Sequence, residues 1–274
     1  MNRTESEYEL LVLDIDGTLT NSKKEITPRT KEVLMRIQKA GKRLVIASGR
    51  PTAGILSIAD ELHLDEYNGF ILAFNGGRII NYTTGEIVYN RTIPLELLPE
   101  IYRYSKELGT GILTYTESEI VLGNEPDRYS ELESRICKIP IRQVEDFVKF
   151  VDFPINKFLM TGEPELIFKA QSVMREKFGW VLNIFRSEPF YLEIVPQSID
   201  KANSLARLLE HLGMKREQMI CCGDGFNDRS MIEFAGLGVA MENAQEEVKA
   251  AADYITASND KDGIVEVVEK FILS

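Results

Sequence analysis

Cysteine, histidine and long apolar runs are scarce in this chain, and each scarcity excludes something. Its 274 residues include three cysteines and two histidines. Three cysteines do not make the disulfide framework of a small secreted domain, and the adjacent Cys221 and Cys222 read as small hydrophobes buried in an apolar run. His63 and His211 lie far from them in sequence, which speaks against a zinc site. No run is long enough to span a bilayer, and residues 1–7 carry no hydrophobic signal region. No Lys/Arg tract stands out against a net charge of -11, so neither nucleic acid nor a membrane is the expected partner. A reducing cytoplasm is the expected setting. An anionic substrate would have to be held by local groups against an unfavourable overall field. Internal repeats and low-complexity tracts are missing as well, and nothing signals an oligomeric state.

What is present is a rhythm. The apolar run Leu10-Leu11-Val12-Leu13 reads as a strand buried on both faces. Thr27 and Pro28 then open a helix through Val33, Leu34, Ile37 and Ala40, which Gly41 ends. A second strand (44–47), a helix through Ile55, Ile58, Ala59 and Leu62, and a third strand (70–74) follow. Such alternation predicts an α/β fold with a doubly wound, Rossmann-like parallel sheet. Residues 78–82 and 86–90 flank Thr83-Thr84-Gly85 and read as a hairpin. From about Thr92 the order turns irregular, with a helix at 95–108, a strand at 111–122, a helix at 129–136, a strand at 157–160, a helix at 166–178, and strands at 181–185 and 191–195. We therefore expect an α+β domain over 92–192, inserted into a core formed by 1–91 and 193–274. The βα rhythm returns at Ile199-Asp200-Lys201 and runs to the end.

The stretch that organises the chain is Leu10-Leu11-Val12-Leu13-Asp14-Ile15-Asp16-Gly17-Thr18-Leu19. Its apolar run stops at two carboxylates two residues apart, a spacing that on an extended strand sends both the same way. Two more core strands end in small or charged residues, at Ser48-Gly49 and at Gly223-Asp224-Gly225-Phe226-Asn227-Asp228. In a parallel sheet those ends share one edge, and Lys201 at a helix start can join them. The set holds carboxylates, an ammonium, a hydroxyl, an amide and glycine N–H groups. Phosphate needs N–H donors and positive charge; Mg2+ needs oxygen ligands. Each part has a plainer reading as well: Ser48-Gly49 as a turn, Lys201 as a solvated lysine, Asp228 as a helix cap.

Together, Asp14-Ile15-Asp16-Gly17-Thr18-Leu19, Ala47-Ser48-Gly49-Arg50, Lys201 and Gly223-Asp224-Gly225-Phe226-Asn227-Asp228 resemble the four ordered motifs of the haloacid dehalogenase-like superfamily. The insertion follows the third core strand, as in the Cof-type sugar phosphatases with a class IIB cap. Phe74-Asn75-Gly76-Gly77 and Gly238-Val239-Ala240-Met241-Glu242-Asn243-Ala244 are similar to that branch too. The resemblance implies a Mg2+-dependent phosphomonoesterase in which Asp14 is the nucleophile and Asp16 the general acid/base. It implies Mg2+ on Asp14, Asp224 and the Asp16 backbone carbonyl. Phosphate would be bound by Ile15, Ser48, Gly49, Lys201 and Asn227, with Asp228, Gly225 and Arg50 in support. Asp228 would orient Lys201 or a metal-bound water. One departure is Lys201-Ala202, where the branch commonly has glycine after the lysine.

The substrate implied is a small phosphate ester, a sugar phosphate first and a phosphorylated cofactor such as FMN or pyridoxal phosphate second. Ring stacking by Tyr102, Tyr104, Tyr115, Tyr129, Trp180, Phe185 or Tyr191 would favour the second, though such residues are more often core. A phosphoryl-retaining mutase is a weaker alternative. A phospho-acceptor switch also uses Asp, hydroxyl and Lys around Mg2+, but has no need of an acid/base at Asp16.

Overall fold

In the computed structural model, which describes residues 8–273, the first strand is buried from end to end. The stretch 1–7, expected to carry no signal region, lies outside the described residues, as does residue 274. β1 (Leu10–Leu13) leads to α1 (Pro28–Lys39), whose cap Thr27 accepts from the Thr30 N–H at 3.1 Å. There follow β2 (Arg43–Ala47), α2 (Ala53–Glu61), β3 (Phe70–Ala73), β4 (Arg78–Asn81) and β5 (Ile87–Asn90). Next come α3 (Leu98–Leu108), β6 (Gly111–Tyr115), β7 (Ile120–Leu122), α4 (Arg128–Cys137), β8 (Ile141–Gln143) and α5 (Phe147–Phe150). β9 (Phe158–Thr161), α6 (Pro164–Phe178), β10 (Leu182–Glu188) and β11 (Tyr191–Pro196) complete this middle part. The chain ends with α7 (Lys201–Leu212), β12 (Met219–Gly223), α8 (Arg229–Phe234), β13 (Leu237–Ala240), α9 (Glu246–Lys249), β14 (Tyr254–Ile255) and α10 (Gly263–Phe271).

Two units result. Of the described residues, the first takes those up to Gly49, Ile55–Tyr89 and those from Asp200 on; the second takes Asn90–Ile199 with the short segment Arg50–Gly54. The first is built on an eight-stranded sheet in the order β14-β13-β12-β1-β2-β3-β4-β5. From β14 to β3 every neighbouring pair is parallel, and β4 runs antiparallel to β3. Leu10 and Val12 join Val45, Phe70, Met219 and Cys221 in a core closed by Leu205, Leu208 and Leu209 of α7. The alternate residues Leu11, Leu13, Leu44 and Ile46 are fully buried too, so both faces of the sheet are covered. The chain steps outward from β1 through β2 and β3, then returns on the other side through β12 and β13. The order therefore reverses between β1 and β12, the crevice where open α/β sheets bind ligands.

The second unit is a six-stranded sheet in the order β10-β11-β9-β6-β7-β8, antiparallel except where β8 joins β7. The strand expected over 111–122 is a hairpin. Thr116 Oγ1 accepts from the Ser118 and Glu119 N–H groups and turns the chain between β6 and β7. Phe147, Phe158, Met160, Ile167, Met174 and Phe178 fill the core beneath the sheet. Tyr102 packs on Phe147 and Tyr104 on Phe178, while Trp180 stands 75% exposed. All three cysteines are free and buried. Among the described residues no helix is long and apolar enough to cross a membrane.

Phe158 of β9 is fully buried with its ring against Phe147, where deletion of the ring leaves a cavity. Phe158→Ala is expected to destabilise the second unit by about 3–5 kcal/mol, read as a lower denaturation midpoint. An unchanged midpoint would contradict the packing described.

Candidate active site

Except for Lys201, which opens α7, the groups of interest follow the carboxyl ends of core strands. β1 stops at Leu13, and the Asp14 N–H still bonds to the Cys222 carbonyl at 3.1 Å. The chain then closes on itself: Leu19 N–H bonds to the Asp14 carbonyl and Thr20 N–H to the Ile15 carbonyl. The two-residue spacing of Asp14 and Asp16 thus acts within a turn, not along an extended strand. Gly17 takes φ +88°, and a Cβ there would lie 2.3 Å from Asp224 Oδ2. Only glycine permits both the backbone angle and the approach. Thr18 Oγ1 donates to Asp224 Oδ1 at 2.8 Å, and Asn243 Nδ2 donates to the Gly17 carbonyl at 2.8 Å.

Lys201 is the centre. It opens α7, which Asp200 caps by accepting from the Asn203 N–H, and its side chain is fully buried. Nζ donates to Asp14 Oδ1 at 2.7 Å, to the Ala47 carbonyl at 2.8 Å and to Asp228 Oδ1 at 2.5 Å. All three ammonium protons are used. The second oxygen of Asp228 accepts from the Asp224 and Gly225 N–H groups at 3.0 and 2.9 Å. Asp228 makes no side-chain bond to the N-terminus of α8, so the helix-cap alternative does not hold.

The remaining predicted residues stand in the loops after β1, β2 and β12. Asp14, Asp224 and Asp228 bring carboxylate oxygens within 4.8 Å of one another, a group able to hold a metal ion. Asp16 lies apart, its side chain 36% exposed and its Oδ1 2.8 Å from Lys24 Nζ. Ser48 is buried directly after Ala47, and its carbonyl accepts from the Asn75 N–H at 2.9 Å. A Cβ on Gly49 would press on the Asn75 amide at 3.1 Å. Asn227 Nδ2 donates to Asn75 Oδ1 at 3.0 Å. Arg50 donates to the Gly54 carbonyl at 3.3 Å, a bond within its own turn. The Ile15 side chain is fully buried. Sequence reasoning did not single out Thr18, Lys24 or Asn243. Thr18 and Asn243 lay inside motifs already noticed; for Lys24 there was no signal.

The electrostatics follow from burial. Desolvation, helped by the charge of Asp228 and opposed by Lys201, pushes the Asp14 carboxyl up to about 8. Desolvation also raises Asp224 to about 6, against the hydrogen bond from Thr18. Burial would pull the Lys201 ammonium down, but Asp14 and Asp228 outweigh it and hold it above the usual lysine value. Three carboxylates thus face one ammonium, and a cation would relieve them.

Removing Lys201 would leave Asp228 buried without a counter-charge and Asp14 without its ammonium donor. Lys201→Met is expected to cost about 3–5 kcal/mol in metal-free protein at pH 7, and the added change Asp228→Asn to recover part of it. Chemical denaturation checks both; a neutral Lys201→Met would refute the account.

A family model described as haloacid dehalogenase-like hydrolase matches residues 11–268. The crystal structure of a haloacid dehalogenase-like hydrolase from Bacteroides thetaiotaomicron is 50% identical, with a TM-score of 0.94 over 96% of this chain and 99% of that one. YxeH of Bacillus subtilis strain 168 is 32% identical over 274 residues, which cover 97% of this chain and 99% of that protein. A sugar phosphatase of haloacid dehalogenase subclass IIB, 26% identical, superposes with a TM-score of 0.78 over 96% of this chain and 98% of its own. With the four loops gathered at one sheet edge and this match along almost its whole length, the chain belongs to the haloacid dehalogenase-like hydrolases of the Cof type.

Proposed function

We propose that the chain is a Mg2+-dependent phosphomonoesterase of small organic phosphates, sugar phosphates first, acting through an aspartyl-phosphate on Asp14. The observation that carries this reading is the cluster of buried Asp14 and Asp228, both bonded to Lys201, with half-buried Asp224 beside them. Its surplus negative charge and oxygen donors suit a hard divalent cation, and the raised Asp14 and Asp224 carboxyls point the same way. Asp14, Asp224 and the Asp16 carbonyl would hold Mg2+, which when bound offsets phosphoryl charge and aligns the ester for in-line displacement.

The chain's own groups then divide the work. An Asp14 carboxylate oxygen attacks phosphorus while the bond to the ester oxygen breaks. Protonated Asp16 gives its proton to the departing alcohol. In the second half Asp16 takes a proton from water, the water oxygen bonds to phosphorus, and the Asp14–phosphorus bond breaks. Its exposure suits a group that must meet both alcohol and water. Ser48, the Gly49 N–H, the Ile15 backbone, Asn227 and Lys201 bind phosphoryl oxygens and stabilise the developing charge. Asp228 fixes Lys201 and, with Gly225, shapes the Asp224 loop; Arg50 pins its own turn. The core expected over 1–91 and 193–274 carries this chemistry, and the insertion at 92–192 selects the substrate. Likeness to a subclass IIB sugar phosphatase supports the substrate class. Three free, buried cysteines support a cytoplasmic setting.

Phosphate release from a panel of sugar phosphates, FMN and pyridoxal phosphate, with and without Mg2+, tests the reading. Turnover is expected to require Mg2+, to vanish in Asp14→Asn and to fall about 100- to 10,000-fold in Asp16→Asn. Release from FMN or pyridoxal phosphate alone would replace the sugar reading. A long-lived phosphoryl adduct without turnover would replace the enzyme by a switch.

A pH prediction follows from the same carboxyls. Asp14 rises from 3.8 to about 8 on folding and Asp224 from 3.8 to about 6. Between those values the folded protein keeps protons that the unfolded chain has lost, so metal-free stability falls as pH rises through the window. Lys201 stays charged throughout. Melting curves in EDTA should therefore decline from pH 5 to 8, less steeply in Asp14→Asn, and Mg2+ should stabilise more at pH 8 than at pH 5. Parallel curves for the two proteins would contradict the assignment.

A further inference from the structure

Beside the predicted loops lies a segment whose backbone is bent against its own preference. After β3, Phe74 and Asn75 take φ 54° and 55°, and Gly76 takes φ +101°. Two consecutive non-glycine residues in the left-handed region are unfavourable, most of all with an aromatic side chain, and persist where the surroundings enforce them. Three bonds do so. The Asn75 N–H donates to the Ser48 carbonyl at 2.9 Å. Ser204, one turn into the Lys201 helix, donates from Oγ to the Gly76 carbonyl at 2.7 Å. Asn75 Oδ1 accepts from Asn227 Nδ2 at 3.0 Å. The segment thus touches the loop after β2, the helix of Lys201 and the loop after β12.

The bend has a chemical product. It lays the Asn75 amide over Gly49, close enough that a Cβ on Gly49 would lie 3.1 Å from Nδ2 and 3.2 Å from Oδ1. Oδ1 is spent on Asn227, whereas Nδ2 has no hydrogen-bond partner among the described residues. An amide group with two unspent N–H donors therefore stands between Gly49 and Asn227, the two positions given above to phosphoryl binding. Oxyanions are bound by such converging neutral donors.

We infer that Asn75 is a further substrate-positioning residue: its Oδ1 orients the Asn227 amide, and its Nδ2 donates to a phosphoryl oxygen of the ester. This rests on the phosphomonoesterase reading for its substrate, but its ligand chemistry is that of any phosphate-like anion. The left-handed backbone of Phe74 and Asn75 is the means by which that amide reaches its place.

Two variants test it. Asn75→Gly keeps the left-handed backbone at no steric penalty and removes only the side chain. Asn75→Asp keeps an acceptor for Asn227 but exchanges the donor for a negative charge. Both are measured for melting temperature, for kcat and KM on the best ester, and for affinity toward inorganic phosphate by calorimetry with Mg2+. Asn75→Gly is expected to melt no lower than the parent, yet to bind phosphate about 10-fold more weakly and lose a similar factor in kcat/KM, in line with one lost charge-assisted donor. Asn75→Asp is expected to lose more of both. Phosphate affinity unchanged in both variants would overturn the inference, as would losses that merely track melting temperature. If the parent binds phosphate but cleaves no ester, the phosphatase reading fails while the calorimetric comparison still decides the role of Asn75.

Discussion

The rest of this structure depends on one buried ammonium. Lys201 Nζ spends its three protons on Asp14, Asp228 and the Ala47 carbonyl, and so joins the end of β1, the end of β2 and the loop after β12 to the start of α7. Burying a lone cation would be prohibitive, as would burying the acids without it. Each therefore requires the other, and the four segments are held in register by charge as well as by packing. Because three carboxylates surround one ammonium, the cluster is left electrostatically incomplete in the direction that favours a further cation.

Close approach is the second constraint. Gly17 admits Asp224, Gly76 admits Ser204, and Gly223 admits Asp228; an added Cβ would lie within 2.4 Å of a partner atom in each case. Where a side chain is needed and glycine is not available, as at Phe74 and Asn75, the chain accepts a left-handed backbone instead. There tertiary bonds over-determine the loop and override local preference.

The two units differ in how they are built, and the difference suits the functions proposed for them. The first is a parallel sheet covered on both faces, with its active loops on the reversal of strand order between β1 and β12. The second is a largely antiparallel sheet with a mainly aliphatic core, an arrangement in which loops can vary while the layer stays intact. β11 runs to Pro196 within that second sheet, and residues as far as Ile199 belong to the same unit.

Strand and helix identity in the core was legible because parallel strands are continuous apolar runs and their helices repeat at 3.6 residues, signals carried within a dozen positions. Three of the four motifs were legible for the same reason, each ending such a run with residues unsuited to a buried strand, whereas Lys201 stands at a helix start. Legibility ended where the deciding contact joins distant positions. The hairpin at Thr116, within a stretch expected as one strand, depends on a side chain bonding neighbouring backbone. The three partners of Lys201, the choice of Asp228 between helix cap and ion pair, and the meeting of Asn75 with Asn227, 152 positions on, depend on which loops the sheet order brings together. The sequence by itself determined which residue types stand at the ends of the strands; only the tertiary structure decided which of them touch. Burial and charge pairing between segments have no period along the chain.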